Sequence, residues 1–323
     1  MSPQIIFGTA VFGMDGTAFQ DAESVKNLLS TLQENGISRI DTAARYPPLL
    51  SGRSEELLGE AKELSSSFVI DTKVYVDTSK GGSGSLTPEA IRGSTAASLG
   101  RLQRPEGVNV LYVHAADPTT PLEAQIKGFA EQMEKKHCNA WGVSNVPPAM
   151  LEEILQICEQ QSLPKPRYYQ GTYNVISRGA ETKLFPLLRA HGMKFVAFWV
   201  LANGFLTGNL LDGPVAGTRF GDDNPLGKQF QEKYGNVGVL EATRKFDRDT
   251  RSIGLSPLEV AIRWIYHHSA LTDDEDAILL GASRISQVIE NLALIKKGPL
   301  PDSVLPLVEE IWEAVKETRG DII

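Results

Sequence analysis

Eight short apolar runs alternate with helical segments along the 323 residues, and this alternation predicts a (β/α)8 barrel of parallel strands. Two further observations support the prediction. The segments between the runs carry residues that start helices, and no linker divides the chain. We therefore expect one domain over residues 1–323, with its functional groups at the carboxyl ends of the strands.

The predicted strands are the apolar runs at residues 5–7, 37–41, 68–73, 108–113, 140–143, 168–170, 195–198 and 277–280. The first helix is predicted from Val25, Leu28 and Leu32, which recur at helical spacing before Gly36. Further helices are predicted at residues 54–59, 151–159, 184–190, 239–253, 284–295 and 307–315.

Three more helices are predicted from their first residues. Thr87, Thr120 and Ser256 each precede a proline, a residue favoured in the first helical turn, and each is a candidate N-cap. Thr120 and Ser256 are also followed three residues later by glutamate, which predicts a capping box at both positions. Residues 203–235, after the seventh strand, are rich in Gly, Asp, Asn and Pro and predict a long loop, which would be either functional or disordered.

The composition excludes several classes of function. A net charge of −8 argues against a general binder of nucleic acid or of membrane surfaces, since both require a basic face. No stretch approaches the roughly 20 apolar residues that cross a bilayer. Cys138 and Cys158 form no Cys-x-x-Cys pair, and no other set of metal ligands stands out, so we expect no metal. A cytoplasmic protein is the simplest expectation.

Four polar residues follow predicted strands: Asp41 and Tyr46 after the second, Lys73 after the third and His114 after the fourth. Each has an ordinary alternative: a turn-forming aspartate, a packing tyrosine, a surface lysine and a core histidine. In a barrel, however, the four converge on one mouth. A lysine ammonium beside a phenol lowers its pKa, so Tyr46 would serve as an acid in carbonyl reduction. Asp41 would orient Lys73, and His114 would position the carbonyl.

The chain resembles the aldo-keto reductases, most closely the aflatoxin-aldehyde reductase group, over essentially its whole length. The motifs that carry the resemblance are FGT at 7–9, IDTA at 40–43 with Tyr46, SEELLG at 54–59, TK at 72–73, LYVH at 111–114, WGVSN at 141–145, YQGTYN at 169–174, LANGFLTG at 201–208 and ENLA at 290–293. The resemblance implies the same four catalytic roles and a small-molecule carbonyl substrate. It also implies NADP(H) bound across the barrel mouth, in a monomer or homodimer.

The resemblance further implies which residues bind the cofactor. Ser144, Asn145 and Gln170 would hold the nicotinamide amide, and Phe198 would lie against its ring where most of the family has tyrosine. The remaining cofactor residues implied are Trp199, Leu201, Asn203 and Gly204 after the seventh strand, and Gly281, Ser283, Arg284, Gln287, Glu290 and Asn291 after the eighth. Gly281 stands where many members have lysine, which leaves the strength of the NADP preference open.

Two residues are expected in the substrate pocket. Trp199 is bulkier than its counterpart in the related group, and Arg219 resembles an arginine that lies near substrate carboxylates and cofactor phosphate there. The leading interpretation is a reductase of aldehydes or ketones. The alternatives are a redox-sensing subunit like the potassium-channel β subunits, and a reductase of secondary metabolism with a narrow substrate.

Overall fold

The computed structural model describes residues 2–271 and 276–321, and its eight strands form a closed parallel barrel in chain order. The strands are β1 (Gln4–Gly8), β2 (Arg39–Asp41), β3 (Val69–Lys73), β4 (Val108–Val113), β5 (Cys138–Ser144), β6 (Tyr168–Thr172), β7 (Lys194–Phe198) and β8 (Ala277–Gly281). The predicted barrel is confirmed, and each strand coincides with one of the apolar runs.

The helices surround the barrel between these strands. Within the described residues they are α1 (Ala22–Glu34), α2 (Arg53–Glu60), α3 (Lys62–Ser65), α4 (Pro88–Leu102), α5 (Leu122–Glu134), α6 (Pro148–Gln161), α7 (Ala180–Lys183), α8 (Phe185–Ala190), α9 (Gly227–Tyr234), α10 (Val237–Ser252), α11 (Pro257–His267), α12 (Ile285–Lys296) and α13 (Leu305–Arg319). None of these helices is long and apolar enough to span a bilayer.

Two apolar clusters hold the fold together. The larger lies between the strands and the helices, because alternate strand residues face outward and the helices bury one apolar face against them. The smaller fills the barrel interior and consists of Ile6, Val110, Tyr112, Tyr168, Val196, Ala277 and Leu279. The barrel is therefore a packed core whose open end carries the chemistry.

The N-caps predicted at Thr87 and Ser256 are confirmed and the one at Thr120 is wrong. Neither predicted capping box forms, because the Glu259 side chain pairs with Arg263 and Lys297 instead of the Ser256 amide. Thr87 Oγ1 accepts from the Ala90 amide, and Ser256 Oγ accepts from the Glu259 amide. At α5 the N-cap is Pro121, which makes no side-chain cap, because the Thr120 hydroxyl donates to Asp117 instead.

The connection from β7 to α10 is long, as predicted, but it is not irregular throughout. It contains a short 3-10 helix (Ala202–Thr207) and helix α9. Phe205 stacks on Tyr234 with ring centres 5.0 Å apart, and Phe220 packs edge-on against Phe230. Composition alone indicated a loop, because the few aromatic anchors of this segment are outnumbered by turn-forming residues.

Candidate active site

The carboxyl ends of three neighbouring strands bring the four predicted catalytic residues together. Asp41 is the last residue of β2, Lys73 is the last residue of β3, and His114 directly follows β4. Tyr46 lies in the connection from β2 to α2. Because these strands are parallel neighbours, their last side chains open onto the same mouth of the barrel.

Lys73 lies at the centre of this group, and its side chain is only 1% exposed. Its Nζ donates to Asp41 Oδ1 at 2.5 Å and to the Thr42 carbonyl oxygen at 2.8 Å. The same nitrogen lies 4.9 Å from the centre of the Tyr46 ring. Asp41 receives a second hydrogen bond on Oδ2, from Gln170 Nε2 at 2.8 Å. The ammonium group therefore links the buried carboxylate to the phenol.

The loop that carries Tyr46 is fixed by backbone hydrogen bonds. The Tyr46 amide donates to the Ala43 carbonyl at 3.0 Å, and the Ser54 amide donates to the Tyr46 carbonyl at 3.1 Å. Its ring meets the His114 ring edge-on, with centres 5.5 Å apart. The first turn of α2 thus fixes the position of the phenol beside the imidazole.

Opposing effects act on the proton affinity of Tyr46. Burial raises its pKa, and the charge of Asp41 adds to this rise. Lys73 lowers the pKa through its charge and its hydrogen bond, and Arg219 also lowers it. The net pKa lies above the ordinary value of tyrosine because burial outweighs the two cations. The sequence predicted a lowered pKa for Tyr46; the contribution of Lys73 has that direction, but the net shift is upward because the prediction did not include burial.

Lys73 and His114 are shifted in opposite directions. Burial lowers the pKa of Lys73, but Asp41 and Tyr46 raise it more, so this side chain is a cation. Burial, Lys73 and Arg45 together hold the pKa of His114 well below its ordinary value. His114 is therefore a neutral imidazole at neutral pH, with one N–H to donate.

The ends of β5 and β6 add amide and hydroxyl groups to the same mouth. Ser144 ends β5, and Asn145, which follows it, donates from Nδ2 to the His114 carbonyl at 3.0 Å and to Ser144 Oγ at 3.1 Å. Gln170 lies in β6 and reaches Asp41. Of the three residues predicted for the nicotinamide amide, Asn145 and Gln170 thus contact catalytic residues, and Ser144 is bonded to Asn145.

The segment after β7 has an unusual backbone. Trp199, Asn203 and Gly204 all have positive φ, of 54°, 60° and 93°. For a bulky residue such as Trp199 this conformation is uncommon, and the Asn174 side chain supports it by donating to the Trp199 carbonyl at 2.9 Å. Phe198 packs against the barrel interior and meets the Trp199 ring edge-on at 5.1 Å. Leu201 lies between these residues and the 3-10 helix.

The residues predicted for the adenosine end lie between β8 and the second turn of α12. Gly281 ends β8, and Arg284 is the N-cap residue of α12, exposed and without a side-chain cap. The Ser283 amide and hydroxyl both donate to Gln287 Oε1, at 2.8 and 3.1 Å. Of the remaining two predicted residues, Glu290 is exposed and Asn291 is buried.

Comparison with known proteins identifies the family. The model of the aldo/keto reductase family matches residues 4–313. The chain belongs to the aldo/keto reductase family. Family membership and the barrel together indicate an oxidoreductase that acts on carbonyl compounds.

Individual relatives are similar over nearly the whole chain. A human protein named aflatoxin B1 aldehyde reductase member 2 is 32% identical, with 96% of this chain and 86% of the relative covered. Oxidoreductase sirO of Leptosphaeria maculans is 32% identical, over 98% of this chain and 95% of the relative. An aldo-keto reductase of Pseudocercospora fijiensis is 31% identical, over 90% and 97%.

Arg219 of this aldo/keto reductase lies across the mouth from the catalytic group. Its guanidinium interacts electrostatically with the Tyr46 phenol, donates to Asn203 Oδ1 at 3.4 Å and lies 5.8 Å from the centre of the Phe230 ring. Within residues 2–271 and 276–321, no carboxylate forms an ion pair with it. The sequence predicts Arg219 in the substrate pocket, and the structure brings its charge within reach of the Tyr46 phenol.

Sequence reasoning missed a second group of charged residues in this aldo/keto reductase. Arg39 and Asp71 pair inside the barrel, below the catalytic residues, and Asn109 joins them. The sequence contains a pattern that could have revealed this group: Arg39 precedes Asp41 by two residues in β2, and Asp71 precedes Lys73 by two residues in β3. Residues two apart in a strand face the same side, so the pattern placed all four in the barrel interior.

Proposed function

We propose that this protein reduces an aldehyde or ketone to an alcohol with NADPH, and that Tyr46 donates the proton. The observation that carries the proposal is the buried Lys73 ammonium, held between the Asp41 carboxylate and the Tyr46 ring. A fixed cation beside a phenol favours the charge that develops when the phenol gives up its proton. The proposal therefore rests on the arrangement of these side chains as well as on the family.

NADPH, when bound, supplies the hydride that reaches the carbonyl carbon. As negative charge grows on the carbonyl oxygen, the Tyr46 O–H transfers its proton there and becomes a phenolate. Lys73 stabilises that phenolate, and Asp41 keeps Lys73 charged and oriented. The phenolate then recovers a proton from solvent.

His114 would position the carbonyl oxygen. It is neutral at neutral pH, so it offers one N–H without adding a second cation beside Lys73. Its ring meets that of Tyr46 edge-on, which directs both groups at the same small volume of the mouth. A neutral hydrogen-bond donor is sufficient for this role, because Tyr46 supplies the proton.

The described residues fit NADP(H) at both ends of the mouth. At the nicotinamide end, Gln170 uses its amide nitrogen on Asp41 and keeps its oxygen to accept from the cofactor amide. At the other end, the exposed Arg284 is the N-cap residue of α12, and its side chain does not cap the first amides of that helix. Free helix amides and a guanidinium without an ion pair in the described part of the chain suit a phosphate.

The substrate side combines an aromatic wall with a cation. Trp199 and Phe230 supply the wall, with ring centres 6.4 Å apart, and Arg219 supplies the charge. We therefore expect small aromatic or carboxylate-bearing aldehydes to be better substrates than short aliphatic ones.

The test is to mix the purified protein with NADPH and a panel of aldehydes and ketones, and to follow the loss of NADPH absorbance. We expect turnover at about 1 per second or faster with the best substrate. Tight NADPH binding without turnover on any member of the panel would instead favour the redox-sensing subunit.

A further inference from the structure

Two ion pairs of opposite direction lie one above the other inside the barrel. Arg39 and Asp41 alternate on β2, Asp71 and Lys73 alternate on β3, and the strand register sets Asp41 opposite Asp71. All four are buried. The upper pair, Asp41 and Lys73, belongs to the catalytic group. In that upper pair the negative charge is on β2 and the positive charge is on β3. In the lower pair, Arg39 and Asp71, the positive charge is on β2 and the negative charge is on β3.

Asp71 has a complete set of partners of its own. Arg39 Nε donates to its Oδ2 at 2.8 Å, and Asn109 Nδ2 donates to its Oδ1 at 2.8 Å. The Arg39 guanidinium also lies 5.0 Å from the centre of the Tyr168 ring. Asp41, one layer above, is likewise held by one cation and one amide. Each carboxylate therefore has a separate counterion.

Stability does not explain the lower pair. Burying an ion pair removes two charges from water, and well-packed apolar residues of similar size are often as stabilising or more so. Arg39 Nη2 and the Tyr112 hydroxyl are also buried without a hydrogen-bond partner among the described residues, which adds an energetic penalty. A buried ion pair that apolar packing could replace, directly beneath a catalytic site, points to a role in that site.

The lower pair is close enough to act on Lys73. Burial raises the pKa of Asp71, Arg39 lowers it, and the neighbouring Asp41 raises it again. The charge of Asp71 in turn contributes to the raised pKa of Lys73. Without Arg39, Asp71 would be a second buried carboxylate beside Asp41, and its charge would act on Lys73 without a counterion of its own.

Other charged or titratable groups also act on this interior from neighbouring elements. They are Arg45 after β2, Tyr112 in β4, His114 after β4, Arg167 just before β6, Tyr168 in β6 and Arg219 in the connection after β7. Arg45, Arg167 and Arg219 are the cations of this set, whereas the side-chain hydrogen bonds to Asp71 come from Arg39 and Asn109. Arg39 is therefore the cation that pairs directly with Asp71.

We propose that the Arg39–Asp71 pair positions Lys73: Arg39 neutralises Asp71, so that the Lys73 ammonium stays with Asp41 and Tyr46. This inference rests on the proposed reductase function, because it assigns the pair a part in proton transfer by Tyr46. Arg39 and Asp71 are positioning residues and do not contact the substrate.

The test compares four proteins: wild type, Arg39→Met, Asp71→Asn and the double variant. Arg39→Met adds net negative charge below Lys73, so the pH profile of alcohol oxidation should move to higher pH. Asp71→Asn leaves an extra cation and should move the profile to lower pH. We expect shifts of roughly half a unit to one unit, with KM little changed. The double variant removes both charges and should return the profile to that of wild type.

A matched control uses the ion pair between Arg92 and Glu131, which joins α4 to α5 on the outside, with Nε–Oε1 at 3.0 Å and Nη2–Oε2 at 3.1 Å. Arg92→Met combined with Glu131→Gln should leave the profile unchanged. If Arg39→Met does not fold, Arg39→Gln, which keeps a donor but no charge, should show the same shift. Single variants that are less stable but keep the wild-type profile would overturn the proposal.

A titration that needs no turnover separates this inference from the proposed function. Tyrosinate absorbance is measured for each of the four proteins and for its Tyr46→Phe counterpart, and the difference isolates Tyr46. Opposite shifts in the two single variants, with recovery in the double variant, would support the charge coupling even if wild type reduces no carbonyl. If wild type reduces carbonyls but all four proteins give the same titration of Tyr46, the charge coupling is refuted and the proposed function still stands.

Discussion

The two sides of the barrel mouth are built differently. At the ends of β2, β3 and β4, Lys73 is buried and bonded to Asp41 and to the backbone. Beyond β7 and β8, Arg219 and Arg284 form no ion pair within the described residues, and Trp199 holds an uncommon backbone conformation. The side chains of the first, organised side are held in place by contacts within the protein, whereas the two arginines of the second side would pair with a bound ligand. We therefore expect substitutions on the first side to change the chemical step, and substitutions on the second side to change the binding of cofactor or substrate.

The largest effect is expected from Tyr46→Phe, on the organised side. The variant keeps the ring and removes the proton, so reduction should fall roughly 100- to 10,000-fold. NADPH affinity, measured by fluorescence titration, should stay within a few fold of wild type. Tyr75→Phe, at an exposed tyrosine after β3, is the control and should keep normal activity. Retention of more than about a tenth of the rate would remove Tyr46 from the mechanism.

Lys73→Met should have the next largest effect, and the effect should depend on pH. Burial already holds the pKa of Tyr46 above its ordinary value, and loss of the ammonium would raise it further. In alcohol oxidation Tyr46 acts as the base, and less phenolate exists at neutral pH when its pKa is higher. We expect a loss of roughly 10- to 100-fold near neutral pH that recovers partly as the pH rises.

Two variants sharpen the Lys73 experiment. Asp41→Asn should show a smaller shift in the same pH profile, because it leaves the ammonium in place. Lys80→Met, at an exposed lysine in the loop after β3, is the control and should keep the wild-type pH profile of alcohol oxidation. One apparent pKa shared by wild type, Lys73→Met and Asp41→Asn would mean that these residues do not form a relay.

On the opposite side, Arg284→Ala should change cofactor choice and leave the chemistry intact. We expect wild type to bind NADPH more tightly than NADH, and the variant to narrow that ratio roughly tenfold, because a 2′-phosphate needs a cationic partner. Arg248→Ala, at an exposed arginine on α10, should keep the ratio. Equal affinity of wild type for both cofactors would contradict the preference itself, and an unchanged ratio in Arg284→Ala would contradict the role of the arginine.

Arg219→Leu should have the smallest effect on KM, and that effect should be limited to charged substrates. Arg219 is of intermediate exposure, although burial lowers the pKa of its guanidinium, and we expect KM for a carboxylate-bearing benzaldehyde to rise about three- to fivefold. KM for benzaldehyde itself should barely change. Lys228→Leu, at an exposed lysine in the same connection, is the matched control. Equal effects on both aldehydes would argue that Arg219 contributes only to packing.

The organised side is also the side that the sequence predicts best. Asp41, Lys73 and His114 follow apolar runs directly, so their position at strand ends is visible in local pattern alone. The connection after β7 is harder to predict. Its helix α9 is held by contacts of Phe230 and Tyr234 with residues elsewhere in the connection. Contacts of this kind produce no periodic pattern in the local sequence.

The sequence by itself determined the barrel, the order of its strands and which side chains reach the mouth, because strand period and chain direction are local properties. Only the tertiary structure decided which charged and polar side chains pair and how strongly burial acts on them. Gln170 bonds Asp41 across 129 residues, Arg39 takes Asp71, and burial sets the net pKa of Tyr46. These pairings depend on the closure and register of the barrel and on the exclusion of water, which arise when distant segments pack together.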